Sequence, residues 1–179
     1  MIQTDNAIAV VIDFQEKMMP VIQNQDKIIK KSAIFIEGCR LLGVPIITTQ
    51  QYTKGLGETV PEIKQALFDF KPIEKLSFSC WGSEAFVNHF ENHDRDAVFI
   101  LGVEAHICVQ QTVLDLLEED CDVYVLADCI GTRFETDFQY AIRRMEQAGA
   151  IITTAESALF EMMMRADHPH RKEITKLVK

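Results

Sequence analysis

The chain has 179 residues, of which 47% are hydrophobic and 25% are charged, and its formal net charge at pH 7 is −9. These values are typical of a globular domain with a complete hydrophobic core, and we expect a single domain over residues 1–179. The negative charge disfavours binding to nucleic acids and to anionic membranes, because both attract basic surfaces. The beginning of the chain lacks a signal-peptide pattern, and no apolar run approaches the roughly 20 residues that span a bilayer.

Five cysteines are present, which is an odd number, and no two of them form a CxxC pair. This pattern is poor for a disulfide framework and for a zinc site, so we expect reduced thiols and a cytoplasmic protein. The cysteines are Cys39, Cys80, Cys108, Cys121 and Cys129.

Short β-rich runs alternate with helical stretches along the chain. Strands are predicted over residues 7–13, 45–50, 70–75, 96–102, 122–128 and 151–154. Helices are predicted over residues 26–42, 83–92, 105–119, 136–148, 156–164 and from 170 onward. This alternation favours right-handed βαβ units, so we predict an α/β fold in which helices cover both faces of a parallel sheet.

Three reactive side chains fall at the ends of predicted strands. Asp13 ends the first strand, Lys75 ends the strand over 70–75, and Cys108 follows the strand over 96–102 at the start of a helix. Ligands of such folds bind beyond the carboxyl ends of the strands, so we expect the three side chains to lie near one another.

These three residues suit nucleophilic catalysis. The helix N-terminus and Lys75 would lower the pKa of the Cys108 thiol and favour the attacking thiolate. Asp13 would take the thiol proton, and backbone N–H groups would hold a developing oxyanion. Each residue also has a structural explanation, because buried cysteines, helix-capping aspartates and surface lysines are all common. Taken without further motifs, the residues leave the two interpretations evenly balanced.

Three segments carry a resemblance to a known family. The segments "VVIDFQ" (10–15), "KLSFSCW" (75–81) and "GVEAHICVQQT" (102–112) resemble, in order and spacing, the signature segments of the isochorismatase-like cysteine hydrolases. Residues 50–63 and 168–179 further resemble the isochorismatase-domain-containing subgroup. The likeness covers nearly the whole chain, and the third segment is the most specific.

The resemblance implies a catalytic triad of Asp13, Lys75 and Cys108 on a three-layer, doubly wound, six-stranded parallel sheet. It also implies a cis peptide bond between Val103 and Glu104. The backbone N–H groups of Glu104 and Cys108 would then form an oxyanion hole.

Related nicotinamidases hold a metal through an Asp-x-His segment after the second strand, where this chain has Gln51, Tyr52 and Thr53. Glutamine and threonine are poor replacements for a carboxylate and an imidazole, so we expect neither a metal nor another cofactor. The same substitution makes nicotinamide a less favoured substrate.

A small-molecule substrate is expected to contact polar and aromatic side chains near the triad. Gln15 would brace the site, and the aromatic residues could equally belong to the core. The residues expected at the substrate pocket are Phe14, Gln15, Gln50, Tyr52, Leu56, Phe78, Trp81 and His106.

We therefore predict a metal-independent cysteine hydrolase that acts on a small amide, ureide or similar carbonyl compound through a thioester. A nicotinamidase or an isochorismatase is the alternative enzyme, and a non-catalytic binding or scaffold protein is the alternative of another class. Relatives are commonly homo-oligomers, and the apolar residues 158–164 ("ALFEMMM") suit an interface between copies of the chain. The alternative for this segment is an amphipathic helix packed on its own core.

Overall fold

The computed structural model describes residues 2–179, which form a six-stranded sheet in the order β3-β2-β1-β4-β5-β6. The strands are β1 (Ala7–Ile12), β2 (Ile46–Gln51), β3 (Ile73–Lys75), β4 (Ala97–Val103), β5 (Asp122–Gly131) and β6 (Ile151–Thr153). All neighbouring strands of this sheet run parallel. The sheet extends outward from β1 in one direction and from β4 in the other, which confirms the predicted doubly wound α/β fold.

Helices cover both faces of the sheet. They are α1 (Gln25–Leu42), α2 (Thr53–Leu56), α3 (Pro61–Leu67), α4 (Glu84–Glu91), α5 (Gln110–Glu118), α6 (Glu135–Ala148), α7 (Ala155–Met163) and α8 (Arg171–Val178). Buried side chains of α1, α3, α7 and α8 pack on one face, and those of α4, α5 and α6 pack on the other. Within residues 2–179, no helix combines the length and the apolar character needed to cross a membrane.

Strand β1 is buried along its whole length because helices cover both of its faces. Its odd-numbered residues pack in the layer that contains α1, and its even-numbered residues pack in the layer that contains α5. Both faces therefore require apolar side chains, which explains the continuous run "AIAVVI" in place of an alternating pattern.

Two glycines occupy positions that their backbone conformation requires. Gly43 ends α1 with a φ of +71°, and its N–H donates to the carbonyl groups of Arg40 and Cys39. Gly102, close to the end of β4, pairs with Ile12 and has a φ of +140°. A Cβ atom at Gly102 would lie 2.2 Å from the Ile12 carbonyl oxygen. Glycine is therefore required for the carboxyl ends of β1 and β4 to lie this close together.

The predicted strands and long helices are present, with small shifts at their ends. Helices α2 and α3 were not predicted, and β5 continues beyond its predicted end at residue 128. The helix predicted from residue 105 begins as a π-helical turn, Ala105–Val109, which leads into α5. Single π-turns within helices are uncommon and occur frequently at functional sites.

Candidate active site

The candidate site lies at the carboxyl edge of the sheet, where β1 and β4 are neighbours and the two halves of the sheet diverge. Doubly wound folds bind their ligands at this kind of switch point. Asp13 follows β1, Lys75 is the last residue of β3, and Cys108 lies in the π-helical turn after β4. Because β2 lies between β1 and β3, the Lys75 side chain crosses the end of β2 to reach Asp13.

Asp13 is oriented by residues from β2 and β3. Its φ of +54° lies in the left-handed region, which is uncommon for a residue with a side chain. Thr49 Oγ1 donates a 2.8 Å hydrogen bond to Asp13 Oδ1. Asp13 Oδ2 lies 2.8 Å from Lys75 Nζ, and both side chains are almost completely buried. A hydroxyl group therefore fixes one carboxylate oxygen, and an ammonium group neutralises the other.

The Lys75 ammonium group is surrounded by oxygen atoms. Besides the Asp13 carboxylate, it donates to Gln51 Oε1 at 2.8 Å and to the carbonyl oxygens of Ser77 at 3.1 Å and Phe78 at 2.9 Å. Burial is the largest single influence and lowers the pKa of Lys75. The Asp13 carboxylate and the Cys80 and Cys108 thiols together outweigh burial, so the pKa of Lys75 is raised above its ordinary value. The lysine is therefore a fixed cation at neutral pH.

The Cys108 thiol lies beside this ion pair and is only 5% exposed. Burial and the negative charge of Asp13 raise the pKa of Cys108 to about 12, and Lys75 opposes them only in part. The expectation of a lowered pKa is therefore wrong, because burial and the Asp13 carboxylate together outweigh the nearby cation. Apart from its ion pair with Lys75, Asp13 Oδ2 has no hydrogen-bond partner within residues 2–179, and the Asp13 carboxylate acts on the Cys108 thiol both through its charge and through a hydrogen bond. The site thus places a protonated thiol next to a carboxylate that can accept its proton.

The residues before Cys108 are held by side-chain contacts with the connection between β5 and α6 and with α6 itself. The peptide bond between Val103 and Glu104 is cis. Glu104 Oε2 accepts hydrogen bonds from the backbone N–H of Arg133 at 3.3 Å and from its Nε at 3.0 Å. His106 Nε2 lies 3.7 Å from Asp137 Oδ2, so this imidazole is engaged with α6.

Two glutamines from the expected substrate pocket bind other parts of the protein. Gln15 Nε2 donates to the carbonyl oxygens of Gln51 at 2.9 Å and Gly57 at 2.7 Å, and Gln15 Oε1 accepts the Gln51 N–H at 2.7 Å. Gln50 Oε1 accepts from both the N–H and the hydroxyl group of Thr59. Both glutamines brace the segment after β2, and these three side-chain groups would have to exchange partners before they could bind a substrate.

The side chains of Phe14 and Trp81 pack against other side chains. Phe14 is completely inaccessible to solvent and belongs to the core cluster in the layer of α1. Its expected place in the substrate pocket is therefore a misassignment, because no surface of this side chain is open to a ligand. Trp81 packs edge-on against Phe86 and Phe90, and its Nε1 donates to Glu119 Oε1 at 3.2 Å.

Three other expected pocket residues remain accessible at the carboxyl edge of the sheet. Tyr52 is 49% exposed and Phe78 is 55% exposed, while Leu56 is half-buried. Tyr52 and Phe78 are both linked to Lys75, since the Tyr52 N–H donates to the Lys75 carbonyl and the Phe78 carbonyl accepts from Lys75 Nζ. The backbones of Tyr52 and Phe78 therefore contact Lys75, and the side chains of both residues are exposed.

The segment that corresponds to a metal site in related enzymes serves the ion pair here. Gln51 Oε1 accepts from Lys75 Nζ, and Gln51 Nε2 donates to the Leu76 carbonyl at 2.9 Å. Thr53 binds Glu74 through its N–H and Gln50 through its hydroxyl group. Within residues 2–179, no three His, Cys, Asp or Glu side chains are grouped so that they could hold a metal ion.

The contacts that orient the triad were not predicted from the sequence. Thr49 and Gln51 belong to the segment "TTQQ", whose polar residues end a strand that helices cover on both faces. Polar side chains at the buried end of such a strand indicate hydrogen bonds to other buried polar groups, as in a functional site. This pattern can be read from the sequence. Thr112, which donates to the Cys108 carbonyl, belongs to the segment "GVEAHICVQQT" (102–112). Nothing in the sequence distinguishes it as a residue that orients the site.

Comparisons with known proteins agree with one another. Residues 7–157 match the isochorismatase domain. The chain is 35% identical to isochorismatase domain-containing protein 2 of Danio rerio, over 99% of this chain and 89% of that protein. The MAR1 ribonuclease of Caenorhabditis elegans superposes with a TM-score of 0.93 at 39% identity, covering 99% of this chain and 91% of that one. The YcaC gene product of Escherichia coli, an octameric hydrolase of unknown specificity, superposes with a TM-score of 0.89 at 26% identity, covering 98% and 86%.

Proposed function

Because the chain belongs to the isochorismatase-domain family, whose members are generally hydrolases, we propose that it is a cysteine hydrolase of a small amide, ureide or similar carbonyl compound. The single observation that carries this proposal is the buried ion pair of Asp13 and Lys75 beside the Cys108 thiol. Burying two charges is unfavourable unless they pair with each other or take part in a reaction. A thiol next to a carboxylate is the arrangement of a nucleophile with its general base.

In the proposed reaction, Asp13 takes the thiol proton as the Cys108 sulfur attacks the substrate carbonyl carbon. The new C–S bond gives a tetrahedral oxyanion, which collapses as the C–N bond breaks and Asp13 returns the proton to the leaving nitrogen. Water then attacks the thioester with Asp13 again as the base, and the acid product leaves while Cys108 regains its proton. Lys75 keeps its charge throughout and holds the carboxylate in place.

The raised pKa of the thiol is compatible with this sequence of steps. Burial raises the pKa of Cys108 to about 12, so the proton must leave during the attack and not before it. A substrate that enters the site brings a polar carbonyl group, and the sulfur charge passes to its oxygen as the C–S bond forms. We propose the backbone N–H groups of Glu104 and Cys108 as donors to this oxygen, since a helical segment begins there.

No metal ion is assigned to the proposed reaction. Gln51 supplies an amide oxygen to Lys75 at the position where nicotinamidases place a metal-binding carboxylate. This contact favours an ammonium ion over a metal as the cation beside Asp13, and it also counts against nicotinamide as the substrate.

A ribonuclease is the second candidate, because the similar C. elegans structure is a MAR1 ribonuclease. The net charge of −9 opposes this activity, since RNA-binding surfaces are generally basic. Incubation with labelled single-stranded RNA compares the two candidates directly. RNA cleavage by the wild type that disappears in Cys108→Ala would favour the ribonuclease. If the RNA stays intact, the amide hydrolase remains the favoured candidate.

We also propose that the protein forms homo-oligomers, as the octameric YcaC gene product does. The segment expected at an interface contributes mainly to the core, because Leu159, Met162 and Met163 of α7 are buried. Phe160 and Met164, which are 42% and 50% exposed, remain available for contact with another copy. Light scattering at micromolar concentration should give a multiple of the 20.4 kDa chain mass, and a monomer mass would end this proposal.

We propose a cytoplasmic location because the cysteines do not form disulfide bonds. Cys39, Cys80, Cys108, Cys121 and Cys129 are all free thiols. A reducing compartment keeps such thiols unpaired. Fractionation of cells that express the protein would test this location.

Screening a panel of amides and ureides, with nicotinamide and isochorismate included, tests the main proposal. Wild-type protein should release product from at least one amide or ureide, and Cys108→Ala should retain the fold but lose this activity by several orders of magnitude. Mass spectrometry of acid-quenched reactions should find the acyl group on Cys108. Turnover that survives in Cys108→Ala would overturn the mechanism, and binding of compounds without turnover would favour the non-catalytic alternative.

A further inference from the structure

The loop after β3, residues 76–82, encloses the Lys75 ammonium group and is called the lysine loop below. Lys75 Nζ donates to the carbonyl oxygens of Ser77 at 3.1 Å and Phe78 at 2.9 Å. Two of the groups that locate this cation therefore belong to the loop, so a shift of the loop would move the ammonium group relative to the Cys108 sulfur.

Two side chains of α5, which follows Cys108, and the side chain of its C-terminal cap residue Glu119 bind the lysine loop. The spacing of these residues, three and then four positions apart, aligns them along the helix. The hydrogen bonds are Cys80 N–H to Thr112 Oγ1 at 2.9 Å, Ser79 O–H to Asp115 Oδ2 at 2.5 Å, and Trp81 Nε1–H to Glu119 Oε1 at 3.2 Å.

Thr112 makes a second contact that the other two residues lack. Its hydroxyl group donates to the carbonyl oxygen of Cys108 at 2.7 Å while it accepts the Cys80 N–H. Thr112 is completely buried, so water cannot replace either partner. One hydroxyl group thus joins the backbone of the nucleophilic residue to the backbone of the lysine loop.

We propose that Thr112 is a positioning residue that keeps the Lys75 ammonium group in register with the Cys108 sulfur, and that Asp115 supports it from the next turn of α5. This role rests on the proposed function, in which Lys75 holds Asp13 beside the thiol. Thr112 touches neither the substrate nor the reacting atoms, so it acts through the two backbones that it joins. Loss of its hydroxyl group would leave the Cys80 N–H without a partner and free the loop to move.

The test compares alkylation of Cys108 by iodoacetamide, which is neutral, and by iodoacetate, which is negatively charged. A change in access alters both rates alike, whereas a change in the position of the Lys75 cation alters their ratio. A retreat of the cation by one or two ångström should lower the iodoacetate-to-iodoacetamide ratio about threefold or more. Peptide mapping at pH 9 gives the two rates for Cys108 alone and requires no substrate.

Thr112→Val removes the hydroxyl group at nearly constant volume, and it should lower the ratio about threefold. Thr112→Ser keeps the hydroxyl group and should restore the wild-type ratio. Ser32→Ala is the matched control, because Ser32 is also completely buried and bonds to a carbonyl oxygen, but it lies in α1 on the other face of the sheet. Its loss should lower the melting temperature without changing the ratio.

A wild-type ratio in Thr112→Val, together with a lower melting temperature, would reduce Thr112 to a purely structural residue and overturn the proposal. If Thr112→Val does not fold, Asp115→Ala serves instead, because Asp115 is only partly buried. It should lower the ratio by a smaller factor, and no change there would also count against the proposal. Because the ratio is measured without substrate, a failure to find turnover would contradict the proposed function alone.

Discussion

Lys75 Nζ lies 2.8 Å from Asp13 Oδ2, and neither side chain has more than 1% of its surface exposed. In such a setting each charge depends on the other, because water cannot replace a missing partner. Asp13→Asn and Lys75→Met should each lower the free energy of unfolding by about 3–5 kcal/mol. The double variant should lose clearly less than the sum, since it leaves no unpaired charge. Urea unfolding of the wild type, both single variants and the double variant measures the interaction energy between the two side chains. Additive losses would show that the two side chains do not stabilise each other.

Alkaline pH should destabilise the fold through its buried thiols. Burial raises the pKa of Cys80 to about 12 from an ordinary 9.0, so the folded state holds this proton more tightly than the unfolded chain. The resulting stabilisation is complete below pH 9, and it is lost as the pH rises toward 12. The pKa of Lys75 is also raised above its ordinary 10.5, so its stabilising contribution is lost as well when the pH rises above 10.5.

Urea unfolding at a series of pH values tests this dependence. Between pH 9 and 12, Cys80→Ala should flatten the decline by about 1.4 kcal/mol per pH unit, since one titrating thiol is removed. Equal slopes in the variant and the wild type would mean that Cys80 is ionised as readily in the folded protein as in the unfolded chain.

Alkylation should reveal the protonated state of the nucleophile. With a pKa of about 12, Cys108 should react with iodoacetamide more slowly at pH 7 than a free cysteine does, and its rate should rise about tenfold per pH unit. Cys121 is half-buried with a pKa of about 11, so it serves as an internal control and should be labelled first. Peptide mapping that finds Cys108 labelled first at pH 7 would restore the original expectation of a lowered pKa.

Gly102 should be intolerant of any side chain. Gly102→Ala places a Cβ atom 2.2 Å from the Ile12 carbonyl oxygen at a φ of +140°, so we expect a loss of about 4 kcal/mol or more, or a protein that does not fold. Gly43→Ala is the control, because its φ is +71° but no atom lies within 4 Å of the added Cβ. It should cost about 1 kcal/mol, and equal losses at the two positions would contradict a steric cause at Gly102.

Chelation should leave any hydrolytic activity intact. Gln51 and Thr53 occupy positions that supply metal ligands in nicotinamidases, and both bind protein groups here. We therefore expect full turnover after exhaustive EDTA treatment, and little zinc or iron by elemental analysis. Activity that is lost on chelation and recovers with added metal would overturn this prediction.

The sequence was sufficient to predict the layers of the fold but not every contact within them. Continuous apolar runs such as "AIAVVI" indicate strands that are buried on both faces, and the structure contains the sheet that they imply. Helices α2 and α3 were missed because glycines at 55 and 57 and a proline at 61 are more typical of loops. Short helices of this kind are stabilised by contacts distant in the sequence, which local patterns do not record.

The triad residues could be selected from strand ends and motifs, whereas their environment could not. The Cys108 thiol has a raised pKa because side chains from several elements exclude water from it. No local sequence pattern indicates this burial. Phe14 was misassigned to the substrate pocket for a related reason. The φ of +54° at Asp13 interrupts the alternation of the strand, so the side of the sheet on which the next residue lies cannot be counted from β1.

The order of the strands also has a consequence for protein synthesis. Asp13 and Lys75 emerge from the ribosome before Cys108, yet β4 must pair with the free edge of β1 before the thiol can approach the ion pair. Until then, the central strand of the future sheet has one unpaired edge and exposes apolar surface that other chains can bind. A chain released before the end of α5 at Glu118 would thus contain two of the three triad residues but would be prone to aggregate. The segment between β3 and α5 is therefore one whose translation we expect to leave the chain open to aggregation.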